Sequence, residues 1–391
     1  MNNKYTGLNR EMIARICEAC HKERDFFVAL LKDFVLFETP TENQDRNRGF
    51  LGILAERFDD LGCNVKLLPG KKSGGQLSAQ LKGDEFEGNQ LLLGHGDTVW
   101  PVGTLEKLPW KQSGNIITGP GAYDMKAGLV MMITALKVLR KLELKPKLQP
   151  VIFINTDEET GSRDSRELIE SLAKSAKRAF VPEPSLDTDG KLKTRRKGSG
   201  IFKVEVEGVA AHAGIEPEKG ISAIQELSYV IQTLCNMNDP ERGITINVGK
   251  ISGGSALNVV PAEAAAHLNV RILAVEDMER VEEEIRSIQP VLEGTTVKVK
   301  GGFRRPPLEK NERNTALWKL AQNISGVMEL DLREGTTGGG SDGSFASLHT
   351  AVLDGLGAVG EGAHSLSEKI FLDETMNRVA LFTALLMAPD V

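Results

Sequence analysis

The spacing of apolar residues divides the chain into alternating helices and short strands. Residues 24–36, RDFFVALLKDFVL, carry apolar side chains at helical spacing and predict a first amphipathic helix. A second helix is predicted over residues 45–61, followed by strands around NVKLL, GGQLSAQL and NQLLLGH. Residues 125–142 predict a long helix, and PVIFINT predicts a short buried strand. This alternation, continued by SRELIESLAKSA and RAFVP, is typical of an α/β architecture.

A different order of elements begins near residue 200. The segments IFKVEVEGV, GISAIQELSYVIQTLCNM, TINVGKISG, AAAHLNVRILA, EDMERVEEEIRSIQPVLE and TTVKVKGGF predict strand, helix, two strands, helix and strand. This β-α-β-β-α-β order is that of the ferredoxin-like split βαβ unit, and about a hundred residues suffice for such a domain. Helical patterns return after residue 307 in ALWKLAQNISGVM and ETMNRVALFTALLMA. The second domain is therefore predicted to be inserted in the first.

Composition and charge narrow the class of protein. The 391 residues exceed one ordinary core, so two or three domains are expected. A formal net charge of −6 argues against a nucleic-acid binder, and we interpret the basic run at residues 191–197 as a solvated connector. No apolar stretch approaches membrane-spanning length, and the first twenty residues lack the apolar region of a secretory signal. With only four cysteines, we expect a cytoplasmic protein without a disulfide framework.

Five potential metal ligands each follow an apolar run or open a helix. They lie in the segments LLLGHGDTV, GPGAYDMKAG, INTDEETGS, FVPEP and GEGAHS, and they are His95, Asp124, Glu159, Glu183 and His364. Imidazole and carboxylate ligands without a thiolate suit two zinc ions that share a bridging carboxylate. The same ligands would also accept Co²⁺ or Mn²⁺. We therefore expect a hydrolase with two Zn²⁺ per subunit.

Asp124 has an alternative role as a helix cap, and His95 has a candidate supporting residue. Asp124 stands just before the predicted long helix, where an aspartate often caps the helix. Capping alone would not need the glycine-rich loop GPGAYD, so we favour Asp124 as the bridging ligand. His95 ends a predicted strand, at the edge of an α/β sheet where ligands bind. The carboxylate of Asp97 can accept the second ring N–H of His95 and set its tautomer.

Glu158 is predicted to be the general base. Glu158 and Glu159 follow one strand, and neighbours on an extended chain point in opposite directions, so only one of them easily binds metal. Two zinc ions bring four positive charges, which Asp124, Glu159, Glu183 and a hydroxide balance. Glu158 then remains free to take a proton from the attacking water and to deliver it to the leaving nitrogen. Taken alone, the DEE sequence would be read as a solvated acidic loop.

Together these motifs resemble the M20 metallopeptidase family over nearly the whole chain. The resemblance lies in residues 91–124, 151–162, 179–184, 207–214 and 336–368, and the stretches NTDEE-x-GS, HAG, NV-x-P and TGGGSD are most similar to glutamate carboxypeptidases of the carboxypeptidase G2 type. It implies a zinc-exopeptidase catalytic domain, a mostly parallel sheet covered by helices, in residues 1–197 and 308–391. Residues 198–307 would form a ferredoxin-like α+β lid and dimerisation domain, and the protein would be a homodimer.

The resemblance also implies roles for single residues. It pairs His95 with Glu183 on one zinc ion and Glu159 with His364 on the other, with Asp124 between them. His212, in GVAAHAG, resembles a histidine that reaches the active site of the partner subunit and stabilises the oxyanion. A further group of residues is implied to hold the free carboxylate of the substrate: Asn258, Arg271, Arg305 or its neighbour Arg304, and the glycine-rich run from Thr337 to Gly340.

Three functions are weighed. The first is a di-zinc hydrolase that cleaves an amide bond next to a free carboxylate in a small or peptide-like substrate and releases an amino acid such as glutamate. The second is an N-acyl-amino-acid or acetylornithine-type deacetylase with the same metal centre, from which the sequence YDMK at residues 123–126 does not distinguish the first. The third is a catalytically silent dimeric binding protein, which would have no chemical need for the spare carboxylate of Glu158.

Overall fold

The computed structural model describes residues 8–83 and 85–390. Its α-helices are α1 (Arg10–Lys22), α2 (Arg24–Leu36), α3 (Gln44–Asp60), α4 (Ala127–Lys141), α5 (Arg166–Ser175), α6 (Ala223–Asn236), α7 (Glu276–Arg286), α8 (Glu312–Val327), α9 (Gly343–Ala346) and α10 (Leu372–Met387). Its strands are β1 (Cys63–Leu68), β2 (Gln76–Leu81), β3 (Asn89–His95), β4 (Lys111–Ser113), β5 (Ile116–Thr118), β6 (Gln149–Asn155), β7 (Ala176–Val181), β8 (Leu192–Arg196), β9 (Gly198–Glu207), β10 (Thr245–Gly253), β11 (Glu263–Ile272), β12 (Thr296–Arg305), β13 (Glu334–Thr337), β14 (Ala351–Asp354), β15 (Gly360–Glu361) and β16 (Lys369–Phe371). Among the described residues, no helix is both long and apolar enough to cross a membrane.

The larger of two compact units is built around an eight-stranded sheet. The described residues of this unit come from Met1–Thr194, Lys310–Thr337 and Ser341–Val391. The strand order is β1-β2-β6-β3-β7-β14-β8-β13, and the middle neighbours β6, β3, β7 and β14 run parallel. Strands β3 and β6 are buried from their second residue onward, as expected for a sheet covered on both faces. The predicted α/β class is confirmed, and the carboxyl ends of β3, β6 and β7 meet at one edge.

The first four helices differ from the predicted ones in their number and in the start of α4. Helix α1 precedes α2, so the helix predicted over residues 24–36 is the second one of the fold. Helix α4 begins at Ala127, two residues later than predicted, because Ala122–Lys126 forms a π-helical turn in which Asp124 has non-helical φ and ψ values of −116° and 99°. Asp124 therefore does not cap α4, whose N-cap position belongs to Lys126.

The interpretation of residues 191–197 as a solvated connector is wrong. Most of this segment forms strand β8, which lies beside β14 inside the large sheet. Its neighbours bury Lys193 to 9% exposure and Arg196 to 2%. Arg196 can be buried because its guanidinium Nη1 donates to the backbone carbonyls of Gly339 at 3.2 Å and Gly340 at 3.0 Å.

A small antiparallel sheet joins two distant parts of the chain. Its order is β15-β16-β5-β4, and Lys369 on β16 pairs with Thr118 on β5. These strands are only two or three residues long, so no alternating apolar pattern can identify them in the sequence. The sheet holds the segment after residue 360 against the loop that leads into α4.

The second compact unit is made of Arg195–Glu309 and Gly338–Gly340. Its sheet has the order β10-β11-β9-β12 with every neighbouring pair antiparallel, which is the ferredoxin-like arrangement of a β-α-β-β-α-β chain. Helices α6 and α7 pack on it, and Phe202, Val204 and Val206 of β9 form part of the shared core. Helix α7 ends at Arg286, earlier than predicted, and Pro290 further on could not have continued it.

Candidate metal centre

Each candidate ligand is placed by the end of a regular element. His95 is the last residue of β3, Glu183 follows β7 by two residues, and Glu159 lies in a short 3₁₀ turn after β6. Because these three parallel strands end at the same edge, their side chains converge there. Asp124 comes from the π-helical turn before α4 and His364 from the loop between β15 and β16. His364 adopts a φ of 60°, in the left-handed region that non-glycine residues rarely adopt.

The ligand atoms form two groups that share one carboxylate. His95 Nε2 lies 3.3 Å from Asp124 Oδ1 and 3.3 Å from Glu183 Oε1. His364 Nε2 lies 3.3 Å from Asp124 Oδ2 and 3.4 Å from Glu159 Oε2. The two oxygens of Asp124 therefore face different imidazoles, and each imidazole has a second carboxylate of its own.

These separations fit two divalent metal ions. Tetrahedral zinc with bonds of 2.0–2.1 Å to nitrogen and oxygen requires ligand atoms about 3.3 Å apart. His95, Asp124 and Glu159 also offer three ligand atoms that all lie within 4.8 Å of one another. In addition, Glu159 Oε1 is buried and has no hydrogen-bond partner among residues 8–83 and 85–390. A buried carboxylate oxygen without a partner is costly unless a cation or another donor satisfies it.

The electrostatics of the cluster favour positive charge at both imidazoles. Burial by itself would lower the pKa of His95, but hydrogen bonds to the surrounding carboxylates, Asp124 first, raise that pKa well above its usual value. Asp124 and then Glu159 raise the pKa of His364 to about 10. Burial opposes ionisation of Asp124, yet the two imidazoles lower its pKa. A divalent cation at each imidazole would meet the same demand for positive charge.

Asp97 supports its neighbours differently from the predicted way. His95 Nδ1 lies 2.9 Å from the backbone carbonyl oxygen of Asp97 and 3.4 Å from its carboxylate Oδ1. The other carboxylate oxygen, Oδ2, accepts hydrogen bonds from Thr41 Oγ1 at 2.8 Å and from the backbone N–H of Glu159 at 3.3 Å. The backbone carbonyl is thus the nearest acceptor for the His95 ring, and the carboxylate connects two other segments.

Glu158 and Glu159 are neighbours within a turn and not on an extended strand. The extended geometry predicted for this pair is wrong, because Glu158–Thr160 forms a 3₁₀ turn. With three residues per turn, successive side chains still point about 120° apart. Both glutamates are partly exposed, and Glu159 directs Oε2 toward His364. The two side chains of the turn therefore point in different directions, as a division into base and ligand requires.

The second unit carries the predicted residues of the inserted domain. His212 is exposed, and its Nδ1 accepts a hydrogen bond from the backbone N–H of Gly214 at 3.2 Å. The backbone of His212 pairs with Val259, and the carbonyl of Asn258 accepts from Ala213. His212 and Asn258 consequently lie on adjacent segments.

The glycine-rich run contacts two of the predicted arginines. Arg271 donates from Nη1 to the carbonyl of Gly338 at 3.3 Å. A Cβ atom on Gly340 would lie 2.7 Å from Cδ of Arg305. Arg305 is 7% exposed, whereas Arg304 is exposed. Arg305 rather than Arg304 therefore lies beside the run.

Two cavities lie beside the ligands within the larger unit. One of about 810 Å³ is lined by Glu159, Thr41 and Glu42, among others. The other, of about 440 Å³, is lined by Asp124 and Thr337, among others. Thr337 thus lies near a ligand candidate, and each cavity has room for a small substrate.

Glu368 belongs to this site but was not predicted from the sequence. Its side chain is fully buried and accepts hydrogen bonds from Trp100 and from the backbone of Gly121, Tyr123 and Asp124. The only sequence signal was its position four residues after His364. A single acidic residue in a loop has no periodic pattern that would have predicted burial.

Known proteins resemble this chain along most of its length. Residues 91–388 match peptidase family M20/M25/M40. Carboxypeptidase G2 of Pseudomonas sp. (strain RS-16) is 30% identical over 372 residues, which cover 92% of this chain and 88% of that protein. Succinyl-diaminopimelate desuccinylase of Magnetococcus marinus is 27% identical over 349 residues, covering 83% of this chain and 88% of that protein.

Solved structures share the fold. Aminopeptidase PepT from Bacillus cereus ATCC 10987 superposes with a TM-score of 0.78 at 21% identity, covering 93% of this chain and 98% of that one. The YXEP protein of Bacillus subtilis, a dinuclear metal binding peptidase from the M20 family, gives 0.70 at 15% identity, with coverage of 94% and 98%. The chain therefore belongs to peptidase family M20/M25/M40, a family of metal-dependent hydrolases, and is an enzyme of the metallopeptidase or aminoacylase type.

Proposed function

We propose that the protein is a di-zinc hydrolase that cleaves an amide bond next to a free carboxylate, in the manner of a glutamate carboxypeptidase. The observation that carries this proposal is the position of Asp124, whose two oxygens each lie 3.3 Å from a different imidazole. The similarity to Carboxypeptidase G2 along 92% of the chain supports the choice of substrate class.

The metal ligands and Glu158 have different roles in the proposed reaction. One zinc ion would be held by His95, Glu183 and Asp124 and the other by His364, Glu159 and Asp124, and the two ions would supply Lewis acidity to the water and to the amide carbonyl. Glu158, partly exposed beside the ligand Glu159, accepts a proton from the attacking water and passes it to the leaving nitrogen.

The second unit supplies the groups that recognise the substrate. Arg271 and Arg305 lie beside the run from Gly338 to Gly340, and a guanidinium group binds a carboxylate through two parallel hydrogen bonds. We include a homodimer in the proposal, in which the exposed His212 donates to the oxyanion in the partner's site with Asn258 beside it.

A deacylase of N-acyl amino acids is the second candidate, and the desuccinylase similarity favours it. Both candidates share the metal centre and differ in which side of the amide bond the enzyme recognises. A panel of aryl-glutamate, dipeptide and N-acyl-amino-acid substrates separates them. Glutamate released from an aryl-glutamate substrate, with slow hydrolysis of acetylated or succinylated amines, supports the carboxypeptidase.

The variant Glu158→Gln tests the base and the metal centre together. We expect wild-type zinc content and a fall in kcat of at least roughly 10²–10⁴, the usual contribution of a general base. Glu56→Gln is the matched control, because Glu56 is exposed on α3, lies in the same unit and is no ligand candidate. It should retain nearly full activity. Near-wild-type turnover of Glu158→Gln, or activity that survives chelation, would exclude this mechanism.

The dimer is tested by exchanging subunits. His212→Ala and Glu158→Gln should each be nearly inactive alone, since an oxyanion donor contributes about 10²–10³ in rate. A mixed dimer contains one site with an intact Glu158 and an intact His212 from the neighbouring subunit, so activity should reappear on mixing. Mixed dimers that form and remain inactive would rule out a role for His212 across the interface.

A further inference from the structure

A buried carboxylate lies behind the loop that carries Asp124. Glu368 is 0% exposed. Its Oε2 accepts hydrogen bonds from the indole Nε1 of Trp100 at 2.8 Å and from the backbone N–H of Gly121 at 3.0 Å. Its Oε1 accepts from the backbone N–H groups of Tyr123 at 2.9 Å and Asp124 at 3.1 Å. Three of the four donors therefore belong to the loop that presents the bridging candidate.

The small antiparallel sheet explains this contact. Glu368 immediately precedes β16, whose first residue, Lys369, pairs with Thr118 at the end of β5. The chain leaves β5 and passes directly into the loop of Asp124, so the loop lies against Glu368. The same segment between β15 and β16 carries His364. One short stretch of chain thus provides a ligand candidate and also contacts the loop of another.

We propose that Glu368 is a positioning residue for the metal centre, an inference that rests on the proposed di-zinc function. It holds the backbone of the loop so that the two oxygens of Asp124 face His95 and His364. Partners behind a ligand commonly control its orientation and the affinity of the metal. Glu368 is not itself one of the five ligand candidates, and it acts through the backbone of the loop.

The arrangement requires a carboxylate rather than an amide. Each oxygen of Glu368 faces two N–H donors, so every position calls for an acceptor. In Glu368→Gln the amide NH₂ must face one of these donor pairs, whichever way the amide is turned. We expect the affinity for Zn²⁺ to fall by about 10–100-fold, the usual range for such partners.

Removing one donor should relieve part of this conflict. Trp100→Phe deletes the indole N–H and leaves three backbone donors. In Trp100→Phe/Glu368→Gln the NH₂ can turn toward Gly121 alone, while the amide oxygen keeps the bonds from Tyr123 and Asp124. The double variant should therefore bind Zn²⁺ more tightly than Glu368→Gln, which a general loss of stability would not produce.

Glu38 offers a matched control away from the ligand loop. It is a buried glutamate, 8% exposed, that accepts backbone hydrogen bonds from Gly103 at 2.8 Å and Leu105 at 3.1 Å. Glu38→Gln makes the same substitution at a buried, hydrogen-bonded position in the same unit. It should lower the melting temperature but leave the affinity for Zn²⁺ within about threefold, because none of its partners is a ligand candidate.

The experiment measures zinc dissociation constants by chelator competition and the visible absorption of the Co²⁺-substituted proteins, for wild type and all variants. The proposal expects weaker binding and an altered Co²⁺ spectrum in Glu368→Gln, partial recovery in the double variant and little change in Glu38→Gln. Wild-type affinity and spectrum in Glu368→Gln, or an equal loss in Glu38→Gln, would overturn it. If Glu368→Gln does not fold, Glu368→Asp replaces it, because the shorter carboxylate cannot reach both donor pairs. Unchanged affinity for Zn²⁺ in Glu368→Asp would likewise overturn the proposal. A wild-type protein that takes up no divalent ion would overturn the proposed di-zinc function as well. Failure of that function is thereby distinguished from failure of the positioning role of Glu368 alone, in which wild type binds Zn²⁺ and the variant binds it equally well.

Discussion

Replacing Asp97 with asparagine separates the two ways in which this residue supports the ligands. The backbone carbonyl of Asp97 lies 2.9 Å from His95 Nδ1, and this contact does not depend on the side chain. The carboxylate lies 3.4 Å from the same nitrogen and accepts from Thr41 and from the backbone of Glu159. Asparagine keeps the shape and one acceptor, but it loses the negative charge and places an NH₂ group or a neutral oxygen toward His95.

The expected magnitude follows from what remains in place. Partners of this kind usually contribute 10–100-fold to metal affinity or activity, or about 1.4–2.7 kcal/mol. Because the backbone carbonyl still selects the His95 tautomer, we expect the lower end, about tenfold weaker Zn²⁺ binding. Once zinc is saturating, kcat should fall by less than about tenfold, since the ligands themselves are unchanged.

The assay combines zinc titration of the apoprotein against a competing chelator with kcat at saturating zinc. Thr41→Val is the control, because it removes one hydrogen bond to Asp97 and leaves the charge beside His95. It should weaken zinc binding less than Asp97→Asn does. A loss of kcat of more than about 10³ in fully loaded Asp97→Asn would show that the carboxylate takes part in the reaction. Unchanged zinc affinity would show that the backbone contact alone is sufficient.

Two further predictions concern the stability of the larger unit. In Gly128→Ala the new Cβ would lie 2.0 Å from the carbonyl oxygen of Pro182, so we expect the free energy of unfolding in urea to fall by about 1–3 kcal/mol. In the control Gly326→Ala the new Cβ has nothing within 4 Å, so the free energy of unfolding should rise by up to about 1 kcal/mol. A Gly128→Ala protein more stable than wild type would contradict the packing. Burial opposes ionisation of Glu23, but its ion pairs with two lysines lower its pKa below 4.5. This stabilisation is present above pH 4.5 and is lost as the pH falls through the pKa of Glu23 in the folded protein. The difference in melting temperature between wild type and Glu23→Gln should therefore shrink on acidification. A difference that stays constant would refute the role of these ion pairs.

Much of the fold and of the site could be predicted because their signals are local. The apolar runs before His95 and before the DEE segment identified buried strands, and parallel strands that end together bring their next residues together. Imidazole and carboxylate side chains at those ends then indicated a metal centre. In the second unit, the order of strands and helices was sufficient for the ferredoxin-like arrangement, because few topologies accommodate that order.

Other features depend on residues that are distant in the sequence. Glu368 meets the loop of Asp124 only because β16 pairs with β5, and strands of three residues leave no pattern that predicts the pairing. The basic run at residues 191–197 looked solvated because its composition is polar, but strand β8 is buried by its position in the sheet. The sequence determined which chemical groups are available and which segments form helices or strands. Only the tertiary structure decided which of them are buried together, because burial and hydrogen bonding depend on neighbours that the chain brings close after it folds.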